Sequence, residues 1–338
     1  MGINVGINGF GRIGRLAVRA GKELGGFSFR AINDHKQPKQ LAYLFKYDTV
    51  FGRYPGEVTY TDDSIIIDGE EIRIFNCSDP SEIPWESAGA EYIVESTGKF
   101  KKRKDALRHL EAGAKKVVIT APSDEAPTFV MGVNNENYTS DMDVVSNASC
   151  TTNCLAPLAK ILQRAFGIRN GVMTTVHAIT TSQNTVDGRP PKDDWRMGRA
   201  GSGNMIPTST GAAKAVGKVL PELQGRLTGV AIRVPILDVS MVDLVVNLEK
   251  SATYAEVCAE IKRACENEMK PYFGYTDDPL VSSDFVGINV GGMFDAQAGL
   301  AIDDRFMKFF AWYDNEYGYT CMAMKLIKYM YEVDHRAL

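Results

Sequence analysis

The sequence predicts an α/β protein in two parts: a doubly wound parallel sheet, then an α+β domain with a mixed, largely antiparallel sheet. Three observations carry this expectation. An alternating apolar strand, Ile3 to Ile7, runs directly into a glycine turn and an amphipathic helix. Short apolar strands then recur between helical segments as far as Val145, the pattern of parallel pairing. Beyond residue 150 the chain changes to long alternating strands with few helices between them.

The first element is decisive. Asn8-Gly9-Phe10-Gly11-Arg12-Ile13-Gly14 separates the strand from Leu16, Ala17, Val18 and Ala20. In a Rossmann-type site Gly9 makes the tight turn, Gly11 admits a pyrophosphate and Gly14 lets helix pack on strand, with phosphate on the helix N-terminus. A glycine turn alone is a weak signal, because such turns are common. The second strand strengthens it. Phe27, Phe29, Ala31 and Ile32 lead to Asn33 and Asp34, placing a carboxylate 20 residues after Gly14, where it accepts bonds from an adenosine ribose. The same charge repels a 2'-phosphate, so NAD is expected rather than NADP, with His35 and Lys36 as cations that offset part of the repulsion.

Further strands read at Ile65 to Ile67, Ile72 to Phe75, Tyr92 to Val94, Val117 to Ile119, and Val144 with Val145. Two of them end in small polar residues, Ser96-Thr97-Gly98 and Thr120-Ala121-Pro122. Those are carboxyl ends of a parallel sheet, where ligands collect. Thr97, Gly98, Thr120 and Ala121 are therefore expected to line a cofactor, against the plainer reading of simple turns.

Ser149-Cys150-Thr151-Thr152-Asn153-Cys154 puts a thiol between a strand and a helix marked by Leu155, Leu158, Ile161, Leu162 and Phe166. Cys150 is thus expected in the first helical turn, where unpaired N–H groups favour an anion. A free thiol of pKa near 8.5 is only about 3% ionised at pH 7, and a helix N-terminus with a basic partner lowers that value by roughly 1 to 5 units. Cys154 follows one turn on. A metal-binding pair is the rival reading, but no second pair stands at zinc-site spacing, and a buried helical cysteine is preferred. No metal is expected.

Strands alternate through Val172, Thr174 and Val176, through Leu227, Val230, Ile232 and Val234, through Val242 to Leu248, and through Phe306 to Tyr313. A helix from Thr253 to Met269 opens with the capping box Thr253-x-x-Glu256. Residues 178–205 lack periodicity, a long loop of the kind that carries function. Of four histidines, His177 alone ends a strand, and beside a helix-terminal thiol it becomes a base; His35, His109 and His335 show no comparable setting. Thr208-Ser209-Thr210-Gly211 precedes the helix Ala212 to Val219, a phosphate-holding arrangement. Arg233, inside an apolar strand, needs a carboxylate or a phosphate.

Composition bounds the class. The chain has 338 residues, 44% of them hydrophobic and 24% charged, enough for two domains without staples. Expected boundaries are 1–149 for the dinucleotide domain, completed by a helix at 315–338, and 150–314 for the catalytic domain. Six cysteines without a framework suit a reducing compartment. No leader, no signal core and no apolar run of ~18 residues is legible, so a cytoplasmic protein without membrane association is expected. A net charge of −4 argues against dedicated nucleic-acid binding. The basic run Lys99, Lys101, Lys102, Arg103 and Lys104 opens a helix and reads as a solvated face, with a nuclear address or a steering patch as alternatives.

Ordered motifs then converge. Gly6 to Arg15, Ser146 to Cys154, His177-Ala178-Ile179-Thr180, Thr210 to Val216 and Trp312 to Tyr319 resemble the phosphorylating glyceraldehyde-3-phosphate dehydrogenase family. The resemblance runs from residue 3 to about 333. It implies that Cys150 attacks an aldehyde while His177 activates the thiol and serves as acid and base. A thioester, cleaved by inorganic phosphate, would follow hydride transfer to NAD. It further implies substrate phosphate at Thr180 and Arg233, inorganic phosphate at Ser149, Thr151, Thr210 and Gly211, Asn315 on the nicotinamide amide, and a homotetramer. Cofactor contacts would come from Asn8, Gly9, Gly11, Arg12, Ile13, Asp34, Ser78, Thr97, Gly98 and Thr120. Ser78, Arg189 and Met197 depart from the family pattern. Erythrose-4-phosphate dehydrogenase is the nearest rival, and a scaffold binding partners through its nucleotide groove is a rival of another class.

Overall fold

The structure, a computed structural model, describes residues 2–190 and 194–336. Met1, residues 191–193 of the predicted long loop and residues 337–338 of the predicted C-terminal segment lie outside the described residues. The chain forms two compact units: 1–129 with 135–148 and 320–338, and 130–134 with 149–319.

In the first unit eight strands form one sheet. They are β1 (Ile3–Asn8), β2 (Phe27–Asn33), β3 (Val58–Tyr60), β4 (Ser64–Ile67), β5 (Glu70–Phe75), β6 (Tyr92–Glu95), β7 (Lys116–Ile119) and β8 (Val144–Ser146). Their order is β3-β4-β5-β2-β1-β6-β7-β8. From β5 to β8 every pairing is parallel, and β3-β4-β5 adds an antiparallel edge. β3 has no clear sequence signal, since two of its three residues are exposed. Helices α1 (Arg12–Leu24), α2 (Pro38–Lys46), α3 (Trp85–Ala88), α4 (Arg103–Ala106) and α5 (Arg108–Glu111) join the strands. The helix expected after the basic run is thus two short pieces, with exposed lysines at 99, 101, 102 and 104.

The sequence dictates the first crossover through sterics. Gly9 has φ +91°, and a Cβ there would lie 2.9 Å from the backbone nitrogen of Thr97. A Cβ on Gly14 would lie 2.1 Å from the Gly9 carbonyl oxygen, so only glycine lets α1 approach the end of β1. Ile7, Leu16 and Ile32 are fully shielded in this core.

The second unit holds a seven-stranded sheet of β9 (Ile168–Ala178), β10 (Ile206–Ser209), β11 (Leu227–Val234), β12 (Ser240–Leu248), β13 (Phe273–Thr276), β14 (Gly292–Ala301) and β15 (Phe306–Tyr313). The order is β10-β11-β9-β12-β15-β14-β13, antiparallel except for β11 on β9 and β13 on β14. Strict alternation along β12, whose odd positions in the strand are buried, makes one face of this sheet apolar. Helices α6 (Cys150–Ala165), α7 (Ala212–Val219) and α8 (Tyr254–Glu266) belong to this unit. The capping box at Thr253 and Glu256 forms as expected, but α8 ends at Glu266, three residues before Met269. The last helix, α9 (Tyr317–Asp334), belongs to the first unit from Thr320 on, where Asp334 accepts hydrogen bonds from the Tyr92 and Tyr138 hydroxyls at 2.7 and 2.9 Å.

Candidate active site

Cys150 opens α6, as its position between strand and helix predicts. Ala148, buried at φ +57°, swings the chain out of β8, a left-handed turn that costs a non-glycine residue about 1–3 kcal/mol. Ser149 caps the helix: its Oγ accepts from the Thr152 N–H at 3.1 Å. Cys154 is buried one turn on, and among the described residues no three His, Cys, Asp or Glu side chains are placed to hold a metal ion.

His177, near the end of β9, brings Nε2 to 3.5 Å from the Cys150 sulfur. Its Nδ1 lies 2.7 Å from the Ala178 carbonyl oxygen and 2.8 Å from Arg233 Nη1, which can only donate. Nε2 is the ring nitrogen that faces the thiol. Parallel pairing sets Arg233 of β11 opposite His177, and Arg233 Nη1 donates to the same Ala178 carbonyl at 3.0 Å.

Burial pushes the Cys150 thiol up, and the Arg233 cation and the Thr151 N–H pull against it without cancelling it. Burial, aided by Arg233, pushes His177 down to about 3. Both shifts favour the uncharged forms, thiol and imidazole. Within the chain Arg233 meets a carbonyl and the imidazole rather than a carboxylate, and its Nε is buried without a partner.

Tyr313, which sequence reasoning did not single out, braces both halves of the pair. Its hydroxyl lies 2.8 Å from Thr151 Oγ1 in α6 and 2.7 Å from Thr175 Oγ1 in β9, and the His177 ring meets it edge-on. Thr151 is consequently buried, with its hydroxyl shared. Asn315 is buried too; its Oδ1 accepts from Ser240 Oγ at 2.6 Å, and that oxygen accepts from the Ala178 N–H at 3.0 Å. The carboxamide is tied to the strand end that carries His177.

The expected anion groups sit near this strand end in register. Ile206 of β10 pairs with Arg233, and β10 leads through Thr210 to Gly211 at the start of α7. Thr210 Oγ1 accepts from the Ala212 N–H at 3.2 Å, and open space surrounds Gly211. The Thr180 hydroxyl donates to Gln183 Oε1 at 3.0 Å, while Gln183 Nε2 donates to the sulfur of buried Met197. Met197 thus supports the loop from inside, and Arg189 is exposed.

The first unit carries a separate cleft of about 250 Å³. Asn8, Gly9, Gly11, Asp34, Ser78 and Thr97 line it, joined by Asn33, Ser96, Lys99 and Phe100, which the sequence reading left out. Arg12 instead pairs with Asp48, and Ile13, Gly98 and Thr120 do not line the cleft. The fit to a dinucleotide is physical: nothing lies within 4 Å of a would-be Cβ on Gly11, so a ligand can approach the turn there. Asp34 Oδ2 accepts from the Phe10 N–H at 2.9 Å, and Oδ1 from the Lys36 N–H and ammonium, each at 3.1 Å. Burial pushes Asp34 up, but these donors outweigh it and hold the carboxyl below its ordinary range.

A doubly wound sheet with this glycine turn and a carboxylate held ionised at the end of β2 is the arrangement of a dinucleotide-dependent oxidoreductase. Residues 3–103 match the family described as glyceraldehyde 3-phosphate dehydrogenase, NAD binding domain, and residues 149–315 match its C-terminal domain. A glyceraldehyde-3-phosphate dehydrogenase of Wickerhamomyces ciferrii is 56% identical over 331 residues, covering 98% of this chain and 99% of the relative. Glyceraldehyde-3-phosphate dehydrogenase 2 of Mucor circinelloides is 56% identical over 334 residues, 98% of each chain, and that of Saccharomyces cerevisiae 55% over 329, covering 97% and 99%. The chain belongs to the glyceraldehyde-3-phosphate dehydrogenase family, and its cofactor is NAD.

Cofactor choice follows from Asp34. An ionised carboxylate within hydrogen-bonding reach of a 2'-phosphate costs roughly 2 to 4 kcal/mol at intermediate effective dielectric. Lys36, already paired with Asp34 and partly exposed, contributes under ~1 kcal/mol. kcat/KM for NAD should exceed that for NADP at least ~10-fold, and Asp34→Ala should narrow the gap. Equal wild-type efficiencies would show that other groups govern the choice.

Proposed function

We propose that the chain oxidises D-glyceraldehyde 3-phosphate with NAD and inorganic phosphate to 1,3-bisphosphoglycerate, through a thioester on Cys150. The observation that carries this reading is the Cys150 sulfur at a capped helix N-terminus, 3.5 Å from His177 Nε2.

His177 Nε2 takes the thiol proton as the sulfur adds to the aldehyde carbon, so charge separates only when substrate arrives. N–H groups at the start of α6 meet the oxyanion. NAD, when bound, accepts the hydride from the hemithioacetal carbon. The imidazolium gives that proton to the oxyanion, which becomes the hemithioacetal hydroxyl, and His177 takes it back as the carbonyl of the thioester forms. Phosphate then attacks that carbonyl; the acyl phosphate leaves and the sulfur recovers its proton from His177. Arg233 and Thr180 are assigned to the substrate phosphate, Ser149, Thr151, Thr210 and Gly211 to inorganic phosphate, and Asn315 to the nicotinamide amide.

The test is NADH formation from glyceraldehyde 3-phosphate with and without inorganic phosphate. Sustained turnover should need phosphate. Phosphate-independent turnover argues for hydrolysis of the thioester, and a higher kcat/KM with erythrose 4-phosphate argues for the rival substrate. A scaffold would form no NADH at all, and the intact Cys150 and His177 pair speaks against it. The homotetramer and the cytoplasmic location belong to the same proposal. Trp195 and Met205, 77% and 76% exposed, support an assembly in which they are covered. Light scattering at a monomer mass would overturn it. Among the described residues no helix is long and apolar enough to cross a membrane.

A further inference from the structure

Beneath the glycine turn lies a buried acid that the proposed reaction does not use. Glu95 ends β6 and is 2% exposed. The directions of the Asn8 and His109 hydrogen bonds reaching it are forced from two ends. At one end the Cys77 backbone gives its N–H to Asn33 Oδ1 at 2.8 Å and accepts from Asn33 Nδ2 at 3.0 Å, which fixes that amide. Asn33 Nδ2 also donates to Asn8 Oδ1 at 2.8 Å, so Asn8 must turn its own Nδ2 to Glu95 Oε2, at 2.6 Å.

At the other end stands His109, fully buried. The Trp85 indole N–H can only donate, and it donates to His109 Nδ1 at 3.0 Å. The ring proton therefore sits on Nε2, which donates to Glu95 Oε2 at 3.1 Å. Oε1 accepts from the Thr97 N–H at 2.9 Å and from the Thr97 hydroxyl. Asn8 Nδ2, His109 Nε2 and the Thr97 N–H all donate to its two oxygens, and the Thr97 hydroxyl lies against Oε1.

A buried acid so fully hydrogen-bonded is part of a network whose members fix one another's positions. What it holds is the turn. The Thr97 nitrogen and Cγ2 both stand 2.9 Å from the place where a Cβ on Gly9 would be, and the Ser96 hydroxyl donates to the Gly9 carbonyl at 2.7 Å. The end of β6 is thus the surface against which the glycine turn is pressed.

We infer that Glu95, kept acceptor-only by the Nε2–H tautomer of His109, is a positioning residue for the NAD cleft, setting Asn8 and Thr97 against Gly9. The inference rests on the reading that NAD occupies the cleft at Gly9, Gly11 and Asp34. It distinguishes direction of donation from mere volume. Glu95→Gln puts an amide donor against either the Thr97 donors or those of Asn8 and His109, so one side must break. His109→Gln can still accept from Trp85 and donate to Glu95, whereas His109→Leu can do neither.

NAD affinity by calorimetry and steady-state KM on the full enzyme test this. Glu95→Gln should raise Kd and KM for NAD tenfold or more, with kcat at saturating NAD changed less than threefold. His109→Gln should bind within threefold of wild type, and His109→Leu at least fivefold more weakly. Nitrogen-15 spectra of the wild type should show His109 protonated at Nε2 alone. Equal affinities for the Gln and Leu variants at 109, or a protonated Nδ1, overturn the inference, and these readings decide even if Glu95→Gln does not fold. Gly9→Val is the control: if it binds NAD as wild type does, the placement of the cofactor is wrong rather than the role of Glu95.

Discussion

Cys150→Ser should abolish dehydrogenase turnover, by on the order of 10³- to 10⁶-fold, the scale on which loss of a covalent nucleophile is read. The structure says why so small a change is so large. Burial already holds the thiol up at rest, and only its handover of a proton to His177 Nε2, 3.5 Å away, makes it a nucleophile. A serine hydroxyl starts far higher, and the same neutral imidazole cannot draw its proton to a useful extent. The fold should not suffer. The helix is capped by Ser149, not by Cys150, and Tyr313 still fastens the first turn through Thr151. NAD affinity should stay within a few-fold, because the proposed cleft is lined by residues 8–100 of the first unit. Turnover at a tenth of wild type would sink the covalent mechanism.

The position of the thiol was legible because two local signals agree there. A polar Ser149 precedes an apolar helical period, and both signals are properties of neighbouring residues. The glycine turn was legible for the same reason, and the steric contact of Gly14 with the Gly9 carbonyl is what the motif encodes. β3 was not: a three-residue strand with Thr59 and Tyr60 exposed carries no alternation.

The electrostatics were less legible, and the miss has one physical cause. Arg233 and His177 lie 56 positions apart and meet only because β11 pairs with β9 in parallel register. Sequence reasoning treated Arg233 as a buried cation seeking an anion and His177 as a future imidazolium. Packed side by side, each cation would oppose the other, so the histidine stays neutral. The Glu95 network was hidden in the same way. Trp85, Asn8, Asn33 and His109 arrive from four separate elements, and a lone histidine on a short amphipathic stretch gives no sign of them.

His177→Asn should slow the oxidative step by on the order of 10²- to 10⁴-fold, the usual span for loss of a positioned acid and base. The pH dependence carries the sign. With its own protonation pushed down to about 3, the wild-type imidazole is available as a base throughout the neutral range. The thiol, pushed up by burial, is the group that must lose a proton, so its reactivity rises with pH. In wild type the proton goes to Nε2 as the sulfur attacks, which lets alkylation proceed well below the pKa of the isolated thiol. Without the imidazole the proton must leave to solvent against the desolvation penalty, and only Arg233 and the Thr151 N–H remain to favour the thiolate. The alkylation profile of His177→Asn should therefore move to higher pH, while Asn315 keeps its bond to Ser240 and NAD affinity holds. An unshifted profile would mean that the helix N-terminus and Arg233 alone activate Cys150, and the general-base role of His177 would fall with it.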